Sequence, residues 1–304
     1  MRTTRRIALI PCKRLLVLLC CACGPAMAGT DAQRLEFDFA QADHSFTAGF
    51  ADYPVNYVPA SYRLTSSWSA RPENLGGAPA LFISGVNHSD DLFMFWKRKI
   101  TGLPASTEML LTMEIEFASK YRTGLVGVGG APGDSVVLKA GVVNFEPLAV
   151  LPRGETHYRM NLDKDSGGNQ FGGADMPTIG TIAKPDDGNN DYVLLTKHQH
   201  GQPRGVTTAA DGSLWLIFGT DSGFEAETAL YYTRLIVWLN RADTPHLWLE
   251  PADTPGMLRL IWNQGTLRGN DDLGSEWPAV PVTSRPHLHD ALSAPRGFWR
   301  VAQP

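Results

Sequence analysis

The clearest indication of the fold of this 304-residue chain is the segment Leu111-Thr-Met-Glu-Ile-Glu-Phe117. Apolar side chains occupy every second position of the stretch, and the polar residues Thr112, Glu114 and Glu116 stand between them. Successive side chains of a strand point to opposite faces of its sheet. The alternation therefore predicts a half-buried antiparallel strand, with the two glutamates on its polar face.

The same period of two recurs along the chain, between frequent glycine and proline residues. Leu35-Glu-Phe-Asp-Phe39 repeats it with three apolar residues on one face and two acids on the other. Further strands are predicted at Ala80–Ser84, Leu92–Trp96, Ser135–Gly141, Tyr192–Lys197, Leu214–Gly219 and Leu230–Leu239. Many short strands joined by turn residues indicate an all-β protein, namely a β-sandwich of the jelly-roll kind.

Residues 1–28 have the three parts of a secretory signal peptide. Basic residues stand between Arg2 and Arg14, an apolar run follows from Leu15 to Cys23, and Ala26-Met27-Ala28 gives a small-x-small exit. The uncharged run is shorter than the roughly 20 residues that a membrane span needs. We therefore predict cleavage after Ala28 and a secreted or periplasmic protein, with lipidation of a leader cysteine as the alternative.

Removal of this leader changes the composition of the chain. All four cysteines lie within residues 1–28, so the mature chain has neither disulfides nor thiolate chemistry. The leader also holds five basic and no acidic residues, which leaves 22 basic against 31 acidic residues and a net charge of −9. Such a surface disfavours nucleic acid and anionic membranes, and it is compatible with neutral glycans, cations or protein partners.

A polar stretch that ends in a proline, Asn240-Arg-Ala-Asp-Thr-Pro245, follows the last long strand. We place a domain boundary there, which predicts one domain over 29–240 and a second over 241–304. The tail has its own predicted strands at His246–Leu249, Met257–Trp262 and Gly297–Ala302. About sixty residues support a small core when aromatic burial is dense.

Three pieces of the tail resemble a C-terminal β-module found in secreted proteins of environmental bacteria. They are Met257–Arg268, Asp272–Val280 and Gly297–Val301. The resemblance implies a small immunoglobulin or fibronectin type III-like domain with an accessory, non-catalytic role.

The larger part resembles an uncharacterised family of secreted or lipoprotein-like bacterial proteins. The matching pieces are Phe50-Ala-Asp-Tyr-Pro54, Asn87-His-Ser-Asp-Asp-Leu-Phe93, Gly127–Gly133, Lys139-Ala-Gly141, Arg159-Met-Asn161 and Gly219–Glu225. The first and last strands also look like those of carbohydrate-binding jelly rolls. Thr233 stands where those modules have an aspartate that holds calcium, so the resemblance does not extend to that ion.

A second calcium hypothesis comes from the spacing of oxygen ligands in one acidic loop. Asp163, Asp165 and Asn169 alternate with other residues, and Asp175 follows near the usual last ligand position. Tight turns with this spacing let several oxygens converge on a hard cation. The alternative is a solvated Asp/Gly hairpin loop without metal.

Two groups of residues are candidates for ligand binding. Asn87, His88, Asp90 and Asp91 form a dense polar cluster that suits sugar hydroxyls or a cation, or else a turn held by its own hydrogen bonds. The other candidates are a lysine and acids that could share one cleft: Lys139, Glu146, Asp221 and Glu225.

The sequence contains no assembled catalytic constellation, so we assign no catalytic residue. We expect non-catalytic recognition of carbohydrate or another extracellular polymer, with calcium as the one cofactor considered. A glycan lyase or hydrolase on the same scaffold is the first alternative, using acids such as Glu114 and Glu116. A structural or adhesion protein of the envelope is the second.

Overall fold

The computed structural model describes residues 32–88, 91–166, 168, 171–199, 203–252, 256–270, 279–280, 287–290 and 298–302. The predicted leader, residues 1–28, lies outside the described residues. Within the described ranges the chain forms two compact units, one inside Thr30–Asp243 and one from Thr244 onwards. Each unit is described by itself below.

Strands make up nearly all regular structure in the larger unit. They are β1 (Ala32–Asp38), β2 (Thr47–Ala51), β3 (Thr65–Ala70), β4 (Pro79–Val86), β5 (Leu92–Ile100), β6 (Glu108–Ser119), β7 (Val136–Val143), β8 (Ala149–Val150), β9 (Arg159–Met160), β10 (Thr178–Thr181), β11 (Val193–His198), β12 (Arg204–Thr207), β13 (Leu214–Ser222) and β14 (Glu227–Arg241). The helical segments are the short helix α1 (Pro59–Tyr62) and a 3₁₀ turn at Glu73–Leu75. Among the described residues, no helix has the length and apolar character needed to cross a membrane.

Two sheets pack face to face to form a sandwich. One sheet has the order β11-β6-β14-β4-β3, with β1 beside β14 and β12 beside β6, and the other has the order β10-β7-β13-β5-β2. Strands β4 to β7 alternate between the two sheets, and so do β12 to β14, so that β4-β14-β6-β11 faces β5-β13-β7-β10. This is the jelly-roll arrangement of two Greek keys, and it confirms the predicted fold class.

The core between the sheets follows the period of two that the sequence shows. Ile115 and Phe117 are fully buried in it, whereas Glu114 and Glu116 lie on the outer face of the same strand. At Thr233 the pairing of β14 with β6 shifts by one residue, which is a β-bulge. The Thr233 hydroxyl donates to Glu116 Oε1 at 2.7 Å, so this residue links two strands.

A long segment, residues 144–177, covers the outer face of the five-stranded sheet, and we call it the strap. Gly167, Asn169 and Gln170 within it lie outside the described residues. Phe93, Phe95 and Ile217 of the sheet are buried together with Met176 of the strap. Strands β7 and β13 are therefore buried on both faces, unlike β6.

Close contact between the strap and the sheet depends on a glycine. A methyl group at the α-carbon of Gly141 would lie 1.9 Å from the carbonyl oxygen of Asp175 in the strap. This distance is far below van der Waals contact, so only glycine allows the strap to lie against β7 at this point.

The C-terminal unit is also built from strands, at β15 (Leu247–Pro251), β16 (Met257–Trp262), β17 (Thr266–Asn270), β18 (His287–Asp290) and β19 (Phe298–Ala302). A separate small core contains Leu260, Trp262, Leu267 and Trp299. The predicted domain limits and the fibronectin-like identity of this unit stay predictions.

The strap contact gives a first testable prediction. We expect Gly141→Ala to lower the free energy of unfolding by about 1–3 kcal/mol, because the added methyl group displaces the strap backbone. Gly205→Ala is the control, since Gly205 is exposed on β12 and its methyl group would meet only the flexible end of Glu108. Urea unfolding of both variants measures the difference, and equal stability of the two would contradict the close contact.

Candidate functional site

Seven charged side chains meet between the strap and the five-stranded sheet, and we call them the ion network. Its members are Asp52, Asp91, Lys139, Arg159, Lys164, Asp165 and Asp221. Lys139 of β7 and Asp221 of β13 project from the outer face of the sheet, where the two strands are hydrogen-bonded neighbours. Asp52 follows β2, Asp91 precedes β5, and the remaining three belong to the strap.

The centre of the ion network is a fully buried ion pair. Lys139 Nζ donates to Asp221 Oδ2 at 2.8 Å, and both side chains have no exposed surface. The same ammonium donates to the carbonyl oxygen of Lys164 at 3.0 Å and to Asp165 Oδ1. A buried charge is tolerated only when it is paired and hydrogen-bonded, and the strap supplies two of these three partners.

Lys164 is the second buried cation and touches more carboxylates than Lys139 does. Its ammonium lies 2.7 Å from Asp221 Oδ2 and 2.8 Å from Asp52 Oδ2, and it also contacts Asp165 Oδ2. Burial alone disfavours the charged form, but the surrounding carboxylates outweigh it and raise the pKa of Lys164 above its ordinary value. Lys164 therefore stays an ammonium at all physiological pH values.

Arg159 forms the surface side of the ion network. Its Nη1 donates to Asp52 Oδ1 at 2.8 Å and to Asp91 Oδ2 at 3.1 Å, and 41% of its side chain is exposed. The hydrogen bond to Asp52 is the main reason why the pKa of Arg159 is raised. Through these contacts β9 of the strap is tied to the ends of β2 and β5.

Asp91 is the carboxyl group whose protonation changes near neutral pH. Burial raises its pKa to about 7, and the nearby carboxylates of Asp221 and Asp52 add to the effect. The ion network has four acidic and three basic side chains, so a single proton makes it neutral. We assign that proton to Asp91, which faces Asp221 and is the more exposed of the two.

Three of the carboxylates are close enough together to be tested as a metal site. One oxygen from each of Asp52, Asp91 and Asp221 lies within 4.8 Å of the others. Such oxygen ligands suit a hard divalent cation. However, the Lys164 ammonium contacts Asp52 and Asp221 directly and supplies the neutralising charge, so these residues are arranged for a lysine.

A group of aromatic rings, which we call the tyrosine rim, borders the ion network. It consists of Tyr53, Tyr57, Tyr62, Tyr158 and His88. The ring centroid of Tyr53 lies 4.8 Å from that of Tyr57 and 5.1 Å from that of Tyr158. Tyr62 is buried beneath the other rings of the group, and Tyr53, Tyr57 and Tyr158 are half-buried.

The backbone explains why the tyrosine rim and the ion network adjoin. Residues 52–55 run antiparallel to residues 156–158, with Asp52 N donating to the Tyr158 carbonyl oxygen at 2.7 Å. In both segments a tyrosine of the rim directly neighbours a charged residue of the network. Asp52 has a left-handed backbone with φ of 62°, which marks the change of chain direction at this point.

The structure brings together only some of the predicted ligand-binding residues. Asp91, Lys139 and Asp221 belong to the ion network, and His88 belongs to the tyrosine rim. Lys139 and Asp221 are wholly buried and contact other members of the network.

The remaining predicted residues lie elsewhere. Asn87 is buried and donates to the Ser222 carbonyl oxygen at 2.6 Å. Glu146 pairs with Lys97 at 2.6 Å, and the backbone N of Glu225 donates to the Val128 carbonyl oxygen at 2.9 Å. Asp90 lies outside the described residues.

The predicted calcium loop is held by hydrogen bonds of its own. Asp175 Oδ2 accepts from the backbone N of Asp163 at 2.8 Å, and Asp163 Oδ2 accepts from the backbone N of Ala174 at 2.9 Å. Asp165 pairs with the two lysines of the ion network, and Asn169 lies outside the described residues. Calcium binding at this loop stays a prediction.

Among the acids considered for glycan cleavage, Glu114 and Glu116 lie together, apart from Glu146. Glu114 and Glu116 both contact Arg234 Nη2, at 3.6 Å and 3.5 Å, on the outer face of the seven-stranded sheet. Lys139 and Glu146 belong to the covered side of the other sheet.

Sequence reasoning did not identify Asp52, Arg159 and Lys164 as members of the site. Asp52 and Arg159 do lie in segments on which the predicted family resemblance rests. Five of those six segments meet in the ion network, through Asp52, Asp91, Lys139, Arg159 and Asp221.

Comparison with known proteins gives similarity to solved structures only. No protein-family model and no curated protein matches the chain. The mannan-recognising carbohydrate-binding module TmCBM27 is 11% identical, with a TM-score of 0.35 over 69% of this chain and 98% of that module. CBM27-1 of Caldicellulosiruptor saccharolyticus, solved with mannohexaose, is 11% identical, with a TM-score of 0.29 over 69% and 97%.

An enzyme structure also appears among these similarities. The enzymatically active domain of tailspike protein 4 from bacteriophage CBA120 is 6% identical, with a TM-score of 0.31 over 66% of this chain and 20% of that one. Carbohydrate-binding modules with a β-sandwich fold are thus among the solved structures that resemble this chain.

The raised pKa of Asp91 predicts how stability depends on pH. The folded state binds this proton more tightly than the unfolded state, in which the pKa of Asp91 is near 3.8. The stabilisation that the proton gives to the folded state is therefore fully present below pH 3.8 and is lost by about pH 7. We expect Asp91→Asn to remove this loss, which is at most about 1.4 kcal/mol per pH unit, and to raise the melting temperature at pH 8.

Thermal unfolding between pH 4 and pH 8 measures this effect. Asp186→Asn is the control, because that exposed carboxylate has a lowered pKa and does not titrate in this range. An unchanged pH dependence in Asp91→Asn would show that Asp91 is not the proton-binding group.

For Asp221, the carboxylate of the buried ion pair, we predict that substitution destabilises the protein. Asp221→Asn leaves Lys139 and Lys164 short of one negative charge in a dry environment, and we expect a loss of about 3–5 kcal/mol in the free energy of unfolding. Glu146→Gln removes the exposed partner of Lys97 and is expected to cost about 1 kcal/mol or less. Chemical denaturation of both variants tests the ranking, and a similar loss in both would contradict it.

Proposed function

We propose that this protein is a non-catalytic carbohydrate-binding protein that recognises a glycan or another extracellular polymer at the tyrosine rim. The observation that carries the proposal is the position of three half-buried tyrosine rings beside the exposed parts of Arg159 and Asp91. This combination offers apolar ring surface and charged hydrogen-bonding groups within one small area.

Each component has a chemical role in sugar recognition. Tyrosine rings present rigid apolar surface with a polar tip, which suits the apolar face of a sugar ring and its hydroxyl groups. The Arg159 guanidinium donates hydrogen bonds in a fixed plane, whereas the Asp91 carboxyl group accepts them from hydroxyls. Together they provide orientation as well as contact area.

The charge balance favours a neutral glycan. With every group ionised, the ion network has one more acid than it has bases, and the mature chain has a net charge of −9 on the predicted cleavage. A polyanionic polymer would therefore meet repulsion at neutral pH. We also infer export through the predicted leader, which N-terminal sequencing of the secreted protein tests.

A glycan-degrading enzyme is the second candidate, and one observation favours it. Asp91 combines partial exposure with a pKa of about 7, which is the value that a general acid needs near neutral pH. Release of oligosaccharides from a bound polymer, abolished by Asp91→Asn, would establish this alternative and replace the binding proposal.

The binding proposal is tested on a glycan array with the mature protein, with calcium and with chelator. We expect Tyr57→Ala and Tyr158→Ala each to weaken binding roughly five- to tenfold, since an aromatic contact contributes about 1 kcal/mol. The control is Tyr231→Ala, because Tyr231 is also half-buried and packs against Phe82, but on the outer face of the other sheet.

Two outcomes of this experiment would overturn the proposal. One is the absence of binding to any glycan in either condition. The other is an equal loss of binding in Tyr231→Ala, which would place the ligand away from the tyrosine rim. Loss of binding only with chelator would support the predicted calcium.

A further inference from the structure

An amine and two carboxyl groups meet where the strap lies on β7 and β13. Lys139 Nζ is 2.8 Å from Asp221 Oδ2 and also contacts Asp165 Oδ1. Lys139 and Asp221 are fully buried, and Asp165 keeps 28% of its side chain exposed. The carbohydrate-binding proposal makes no use of this arrangement.

We propose that Lys139 and Asp165 are joined by an intramolecular amide bond, which fastens the strap covalently to the sheet. The bond forms between Lys139 Nζ and Asp165 Cγ once the chain has folded. It makes this pair of side chains a self-modification site, and it needs no other protein.

The reaction is a condensation that balances without any co-reactant. An ammonium and a carboxylate become an amide and one water, so nothing is oxidised or reduced. Nζ forms a bond to Cγ of Asp165, and the bond from Cγ to Oδ1 breaks. Two protons leave Nζ and depart with Oδ1 as water, and Asp221, in hydrogen-bond contact with Nζ, relays them and returns to its starting state.

Lys164 prepares Asp165 for attack. The two oxygens of Asp165 are divided between two ammonium groups, Oδ1 on Lys139 and Oδ2 on Lys164. As Nζ adds to Cγ, negative charge collects on Oδ2, where the Lys164 ammonium stabilises it in the manner of an oxyanion hole. The exposed part of Asp165 gives the water a path to solvent, which buried Asp221 lacks.

The contacts of the two lysines indicate that Lys139, and not Lys164, is the nucleophile. Lys164 contacts Asp52, Asp165 and Asp221 and has its pKa raised by them, so it keeps its proton. Lys139 contacts only two carboxylates, and its third partner is a carbonyl oxygen. An amine must lose its proton to attack, and Lys139 has fewer carboxylates around it than Lys164 has.

Burial favours the amide product over the ion pair. Phe93, Phe95 and Ile217 lie on the same covered face of the sheet, which makes this region poor in water. Two charges that are held in such a place carry a desolvation cost, and the amide removes both of them. The new bond links residues 26 positions apart, so it restricts the unfolded chain as other cross-links do.

Mass spectrometry of the folded wild-type protein is the decisive test. After denaturation and trypsin digestion we expect residues 123–153 joined to residues 165–197, since trypsin does not cleave after a modified Lys139. The branched peptide weighs one water less than its two parts, and fragmentation locates the link. Lys139→Arg and Asp165→Ala are expected to abolish it, and the control Lys97→Arg, on an exposed ion pair, is expected to retain it.

The wild-type measurement does not depend on the folding of any variant. Finding only linear peptides that contain unmodified Lys139 and Asp165, from folded protein of full intact mass, would overturn the proposal. A link that involves Lys164 in place of Lys139 would overturn the assignment of the nucleophile. Neither result bears on glycan binding, which is measured on the tyrosine rim.

Discussion

The buried pairing of Lys139 with Asp221 is the constraint on which the arrangement of this protein depends. The nitrogen of Lys139 and the carboxylate of Asp221, on the outer face of a sheet, would ordinarily face water, but here neither side chain has any exposed surface. Their burial requires further hydrogen-bonding partners, and the strap provides them through Lys164 and Asp165. The strap that covers the sheet therefore also supplies the hydrogen-bonding partners that these buried polar groups need.

The same covering determines which surface is open to a ligand. Because the strap occupies the outer face of the five-stranded sheet, a glycan bound as proposed would contact the edge of the strap and not the sheet itself. At that edge Arg159 and Asp91 of the ion network are partly exposed. Tyr158 of the tyrosine rim directly precedes Arg159 in the chain. The buried charges thus fix the position of the few polar groups that reach solvent.

The alternation of apolar and polar residues was sufficient to predict the β-sandwich. It did not predict that the strap covers one face of the sandwich. In Leu111–Phe117 apolar and polar side chains alternate within one strand, so the sequence predicts which face of the strand is buried. The structure confirms that prediction. Val136–Val143 has no such alternation, since both faces are buried. Among its described residues, the covering strap has only the short strands β8 and β9. In the site, the Asp163-Lys-Asp165 spacing indicates oxygen ligands, but it does not reveal that Lys164 itself lies among the carboxylates of Asp52, Asp91 and Asp221.

Hydrogen–deuterium exchange of the strap measures whether the ion network holds it on the sheet. We expect strap amides such as those of Asp175 and Met176, which donate to the Asp163 carbonyl oxygen at 2.9 Å and 3.2 Å, to exchange as slowly as those of β7 and β13. Rapid exchange throughout the strap, with β7 and β13 still protected, would show that the ion network does not hold the strap on the sheet.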